Sequence, residues 1–168
     1  MPGAGEKTFP KVFVDTNVLI YSVDPRVPSK HASVWRWLTA LWETACGRLS
    51  WQVLHEFYVN ALRKAEVARS EARQVVRSYA TWRPVETTLN LVERAWHWAD
   101  RSQVSYWDAL ILAAAEASGC AYLLSEDFQD RQRFGSLTVL NPFLHGPEHL
   151  GFRFVEGGKA LPPKEAAR

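Results

Sequence analysis

Four acidic residues of this chain are candidates for shared chemistry, and the first of them sits where packing alone would not put it. Asp15 lies between "VFV" and "VLIY", two stretches with the composition of a protein interior, although burying an unpaired carboxylate is costly. Glu56 falls in "LHEFYVNALRK", Asp108 in "SYWDALIL" and Asp127 in "LLSEDFQD". Carboxylates brought together repel and raise one another's pKa unless a cation lies between them. A hard divalent ion, Mg²⁺ or Mn²⁺, takes carboxylate and water oxygens. A bound ion of that kind lowers the pKa of its water and so supports hydrolysis.

Each of the four also has a plainer explanation. Asp15, Thr16 and Asn17 all favour helix N-caps. Glu56 shares a stripe with Gln52, Asn60 and Arg63 at i, i+4, i+8 and i+11, and a polar stripe is ordinarily a solvated face. Asp108 stands three residues after Ser105, the spacing of a capping box, which stabilises a helix by about 1 kcal/mol without any chemistry. Asp127 can serve a turn, with Glu126 or Asp130 taking its place as ligand. No single carboxylate decides between the two readings.

The elements around them are legible. Val12 to Val14 reads as a strand, Asp15-Thr16-Asn17 as a turn, and "VLIYSV" as the start of a helix. Ser29 can cap a second helix with apolar positions at Ala32, Trp35, Leu38, Trp42 and Ala45, closed by Gly47. A third helix covers "QVLHEFYVNALRKA", and a fourth opens at Ser70. After Pro84 a fifth carries a stripe of Leu89, Val92, Trp96 and Ala99. The sixth starts at Ser105 and ends at Gly119. "AYLLS" and "LTVL" are the later strands.

Strands alternating with helices predict an α/β domain, a small and mostly parallel sheet with helices on both faces. In such sheets ligands bind beyond the carboxyl ends of the strands. Asp15 and Asp127 both fall there, and Asp108 opens the helix leading into the later strand.

Composition narrows the class. The 168 residues are 47% hydrophobic and 23% charged, which is globular, and the length suits one domain. The boundaries read as an N-terminal extension over 1–10, the folded domain over 11–150 and a C-terminal segment over 151–168 ending in a loose tail. A formal net charge of +2 neither demands nor excludes a nucleic acid. Cys46 and Cys120 have no CxxC spacing and suggest buried thiols of a reduced compartment. No secretory signal or membrane-length apolar run is visible, so a cytoplasmic protein without membrane contact is expected. The eight tryptophans read mostly as core, Trp107 among them.

Taken in order, "VFVDTNVLIY", "LHEFYVNALRK", "SYWDALILAAAEASGC" and "LLSEDFQD" followed by "LTVLNPF" resemble the segments of PIN-domain ribonucleases, and most closely the VapC-type toxins of type II toxin–antitoxin pairs. The resemblance spans roughly residues 11 to 143. It implies a PIN-like three-layer α/β/α sandwich with an Mg²⁺ or Mn²⁺ site at the sheet edge. The family's acidic positions map to Asp15, Glu56, Asp108 and Asp127, with Asn17 and Ser125 as supporting residues. It also implies an endoribonuclease that is held inactive by a cognate antitoxin protein and that forms a homodimer. The stretch "FQDRQRFGS" departs from relatives that carry a glycine soon after the last aspartate.

Two basic pairs, Arg63 with Lys64 and Arg131 with Arg133, are candidates for RNA phosphates or equally for surface ion pairs. His55 and Trp107 flank acidic residues and have the ring faces that stack on unpaired bases, but the spacing gives His55 no role. Two other functions compete. An aspartate-nucleophile phosphohydrolase also places an aspartate after its first strand, but needs a second acid two residues on, where this chain has Asn17. A catalytically inactive RNA- or protein-binding module gains nothing from clustered anions facing a polyanion.

Overall fold

Val12, Phe13 and Val14 are all fully buried. Successive strand residues face opposite ways, so both sides of this strand are covered. Leu123 and Leu124 are equally buried. Such two-sided burial is why these strands read as unbroken apolar runs rather than alternating ones.

The computed structural model describes residues 7–153. Along it run β1 (Val12–Val14), α1 (Thr16–Val23), α2 (Pro28–Thr44), β2 (Gly47–Arg48), α3 (Trp51–Arg63) and α4 (Arg69–Ala80). Then follow α5 (Leu89–Arg101), α6 (Tyr106–Ala117), β3 (Tyr122–Leu124), β4 (Arg133–Phe134) and β5 (Leu137–Leu140). The strand order is β2-β1-β3-β5-β4, parallel throughout except that β4 runs antiparallel to β5. This is the small, mostly parallel α/β sheet that the alternation predicted, in the three-layer α/β/α form that the resemblance implied.

Register fixes the site. Phe13 pairs with Arg48 on one side and Leu123 on the other, and Leu123 pairs with Val139. The ladder continues one residue past the strands, since Asp15 N donates to Leu124 O at 3.1 Å and Ser125 N to Leu140 O at 3.1 Å. Asp15 and Ser125 therefore leave the same carboxyl edge of adjacent strands on backbone that the sheet still holds.

Several local expectations need correction. α2 starts at Pro28 without a side-chain cap, so Ser29 lies inside it; Pro at the first helical position is pre-set for the turn. Its buried stripe is Val34, Trp37, Leu38 and Leu41, while Ala32 and Ala45 are exposed. Ala45, at φ 55°, takes the left-handed turn that ends the helix. Gly47 instead belongs to β2, where a Cβ would overlap the Trp82 ring. α4 is preceded by Ala68, with no side-chain cap, and Ser70 falls inside it. α5 buries Leu91 and Ala95, while Leu89 and Trp96 face out.

Trp37 is fully buried, and Trp42, Tyr79 and Trp82 pack ring on ring at 5.0 to 5.3 Å. Trp107, by contrast, is 63% exposed, so its expected place in the core is wrong. Toward the chain ends, Phe9 stacks on Phe152 at 4.8 Å and Phe152 is buried. The loose tail expected at the end of the C-terminal segment lies outside the described residues. Cys46 and Cys120 are both free thiols.

Candidate functional site

Asp15 caps α1, and its Oδ1 accepts from Thr16 N at 2.7 Å. Its Oδ2 accepts from Ser125 Oγ at 2.7 Å and from Asn17 Nδ2 at 3.3 Å. The Asn17 amide also reaches Ser125 Oγ at 3.2 Å and Asp127 Oδ2 at 3.1 Å. Ser125 Oγ in turn accepts from Asp127 N at 3.1 Å. One amide and one hydroxyl thus tie the ends of β1 and β3 together and hold two carboxylates on either side of them.

Glu56 arrives from α3. Ser50 caps that helix by accepting from Val53 N, and the helix buries Val53, Leu54, Phe57 and Ala61. The opposite stripe presents Glu56 to the site. Thr16 Oγ1 donates to Glu56 Oε2 at 3.0 Å and Gln52 Nε2 to Glu56 Oε1 at 2.9 Å. Thr16 therefore links Glu56 to the Asp15 turn. Asp108 comes from the first turn of α6, where Ser105 Oγ accepts from Asp108 N at 3.1 Å. Ser105 thus caps the helix as the spacing predicts, through the backbone of Asp108.

The electrostatics join the four. Asp15 is 5% exposed, and its pKa is raised from 3.8 to about 7. Burial is the main cause; hydrogen bonds from Ser125 and Thr16 oppose it, and the charges of Asp127 and Glu56 add to it. Asp108 is also raised, first by burial, against its hydrogen bond with Ser105, and then by Asp127 and Glu56. No lysine or arginine enters either balance.

The donor set consists of carboxylate, hydroxyl and amide oxygens, which is what Mg²⁺ or Mn²⁺ takes. Among the described residues no three His, Cys, Asp or Glu side chains already close on a single cation position. The hydrogen-bond donors of Thr16, Asn17 and Ser125 stand between the carboxylates instead. The residues fit a hard cation by chemistry and by unbalanced charge.

The two substitutes for Asp127 are engaged elsewhere. Glu126 pairs with Lys30 at 2.6 Å and accepts from Tyr21 at 2.9 Å. Asp130 is bonded to His145 Nε2 and Asn141 N, both at 2.8 Å. Arg63 and Lys64 lie exposed at the end of α3, Arg131 is 3.9 Å from Asp130, and Arg133 is exposed on β4. None of these four makes a hydrogen bond or ion pair with the acidic group among the described residues. Sequence reasoning missed Thr16 and Gln52 as partners of Glu56. Thr16 carries a signal, its place between Asp15 and Asn17, but the sequence alone reads it as part of the turn.

Residues 12–133 match the PIN domain family. The solved structure of Mycobacterium tuberculosis VapC20, described as a sarcin-ricin loop cleaving toxin, superposes with a TM-score of 0.52 at 21% identity, covering 67% of this chain and 87% of that one. No curated protein matches the chain. A family match over residues 12–133, most of the chain, means that this protein belongs to the PIN domain family.

Proposed function

We propose that this chain is a metal-dependent endoribonuclease acting as the toxin of a toxin–antitoxin pair. The observation that supports it most is Asp15, a buried carboxylate with a raised pKa, acidic neighbours and no basic partner, in a PIN-domain chain. Asp15 and Asp108 are the principal holders of Mg²⁺ or Mn²⁺, and Glu56 and Asp127 complete the set or orient the attacking water. When bound, such an ion supplies Lewis acidity and lowers the pKa of water toward neutrality.

The chain's own groups do the rest. Ser125 and Asn17 fix the Asp15 carboxylate, and Thr16 and Gln52 fix that of Glu56, so neither must reorganise as charge develops. Asp127 is solvent-exposed and within reach of an entering water, where its carboxylate or that of Glu56 can accept a proton. The water oxygen forms a bond to phosphorus, the bond from phosphorus to the 3′-oxygen breaks, and that oxygen takes up a proton. The products carry a 5′-phosphate and a 3′-hydroxyl.

The partners follow from the same reading: RNA as substrate, a second copy of the chain, and a cognate antitoxin that places an Arg or Lys in the acidic cleft. Among the described residues no helix is long and apolar enough to cross a membrane, and we place the protein in the cytoplasm. The test is cleavage of a labelled RNA pool by the purified chain with Mg²⁺ or Mn²⁺ and with EDTA, beside Asp15→Asn. Metal-dependent cutting that the variant loses supports the reading. Cutting that survives either EDTA or the substitution sinks it.

A further inference from the structure

Two hollows meet beside the acidic edge. The larger, about 780 Å³, is walled by Trp51, His55, Tyr106 and Trp107, and both Glu56 and Glu86 line it. The smaller, about 270 Å³, shares Trp51 and His55 and is closed by Arg73 and Arg77 of α4. Glu56 belongs at once to the acidic site and to the larger hollow. Gln52 reinforces that junction, donating to Glu56 Oε1 at 2.9 Å and to the Trp107 carbonyl at 3.2 Å.

The lining restricts the occupant. The larger hollow holds two carboxylates and no lysine or arginine, so a phosphate is repelled from it. Its rings are accessible, with Trp107 63% and Tyr106 37% exposed, and Tyr106–Trp107 and Trp51–His55 each pack ring to ring along its wall, a contiguous apolar surface of the kind that marks a binding groove. A flat, uncharged group with hydrogen-bonding edges suits both the ring faces and the acidic acceptors, and a nucleobase is such a group. The arginines begin where the acidic lining ends. Arg69, Arg73 and Arg77 recur at i, i+4 and i+8 along one exposed face of α4, and none of the three is in an ion pair among the described residues.

Resting on the nuclease reading above, we propose that the larger hollow takes one unpaired base of the RNA strand being cut, while Arg73 and Arg77 hold phosphates of the same strand. The strand then runs from the acidic edge, past Trp107, across α3 and on to α4. A base can enter only if it is unstacked, so the substrate is a single-stranded or looped segment. This path differs from the one through Arg63, Lys64, Arg131 and Arg133 that sequence alone suggested.

Binding tests this apart from cleavage. In the Asp15→Asn background, fluorescence anisotropy of a labelled single-stranded RNA is compared with that of the same strand annealed to its complement. The single strand binds more tightly than the duplex. Trp107→Ala weakens it about ten-fold and Trp107→Phe restores most of the loss, since a base stacks on any aromatic face. Arg73→Ala weakens binding and lowers its salt dependence by about one phosphate contact. Thermal melts followed by circular dichroism confirm that each variant is folded, as the exposure of Trp107 leads one to expect.

Equal binding of duplex and single strand, or unchanged affinity in a folded Trp107→Ala chain, overturns the inference. So does a Trp107→Ala chain that keeps its RNA affinity but no longer binds its antitoxin, which would assign the hollow to a protein. The two readings fail separately. A wild-type chain that cuts RNA while Trp107 is irrelevant to binding keeps the nuclease and loses the base site; one that cuts nothing but binds single strands through Trp107 does the reverse.

Discussion

Asp15 and Glu116 are both carboxylates anchored on helical segments, and their surroundings push them in opposite directions. Glu116, on the exposed side of α6, meets Arg94 through two hydrogen bonds of 2.6 Å, and that partner holds its pKa below the ordinary value. Asp24 is lowered in the same way by Arg26. Asp130 is lowered too, its burial outweighed by the Asn141 N–H and His145. At the sheet edge Asp15 and Asp108 rise instead. Three carboxylates elsewhere in the fold thus have a cationic or imidazole partner, while at this edge the donors are neutral amides and hydroxyls. Acidic groups that persist without a counter-charge mark a place tuned for something other than stability, and the charge that would balance them is the cation of the proposed reaction.

The strongest way to break that contrast is to remove one charge. Asp15→Asn keeps the size of the side chain and a hydrogen-bond acceptor, so the fold should persist, while cleavage falls by at least about a hundred-fold. RNA affinity stays or improves, because one anion facing a polyanion has gone. Cleavage assays and binding isotherms on the same preparation separate the two effects. An asparagine variant that cuts as fast as the parent would make Asp15 a structural cap.

A smaller effect reads the contrast as stability. The folded chain keeps the Asp15 proton up to about pH 7, whereas an unfolded aspartate releases it near 3.8. Between those values the unfolded state binds fewer protons, so stability falls as pH rises from about 4 to about 7 and levels off above that. The loss is at most about 4 kcal/mol, and Asp108 acts in the same direction. In chelator-treated buffer, denaturant melts of the parent show this falling limb. Asp15→Asn flattens it and is the more stable chain at pH 8. A parent whose stability climbs through that window would show that the edge is not short of positive charge.

Divalent metal should reverse part of this loss. At a hundred times its dissociation constant a ligand stabilises the folded state by about 2.7 kcal/mol. Mg²⁺ or Mn²⁺ should therefore raise the melting temperature of the parent at pH 8 and not that of Asp15→Asn. The rise shrinks below about pH 6, where protons compete for the carboxylates. An equal rise in both chains would point to a metal held elsewhere.

What the sequence made legible follows from how local each signal is. Asp15 was visible because strand and helix propensities on either side require burial and an aspartate there needs a reason. The Asn17 bridge to Asp127 was not, since it joins residues 110 apart and depends on the register of β1 against β3. The two-residue strands β2 and β4 are too short to show any alternation, and Gly47 reads as a helix terminator because nothing nearby announces the Trp82 ring against it. Trp107 departs from its expected core position for a related reason. Spacing gives the face of a helix, but the first turn of α6 projects past the core, and an aromatic there meets solvent instead of a neighbour.

The smallest effect sharpens the other side of the contrast. Glu116 is lowered by Arg94, so its stabilisation is present above the unfolded value of 4.5 and is lost as the pH falls through its lower folded value. Both side chains are more than a third exposed, and solvent screening keeps the pair to under about 1 kcal/mol despite its two-pronged geometry. Glu116→Gln should therefore lower stability slightly at pH 7, less in high salt, and not at all at a pH where Glu116 is protonated. It should leave cleavage unchanged, because Glu116 lies apart from the acidic edge. The same pH series run on Asp15→Asn gives the opposite sign, a gain at neutral pH that vanishes in acid. Two carboxylate-to-amide changes of equal size, moving stability in opposite directions, would show that placement relative to a positive charge decides what each acid does in this fold.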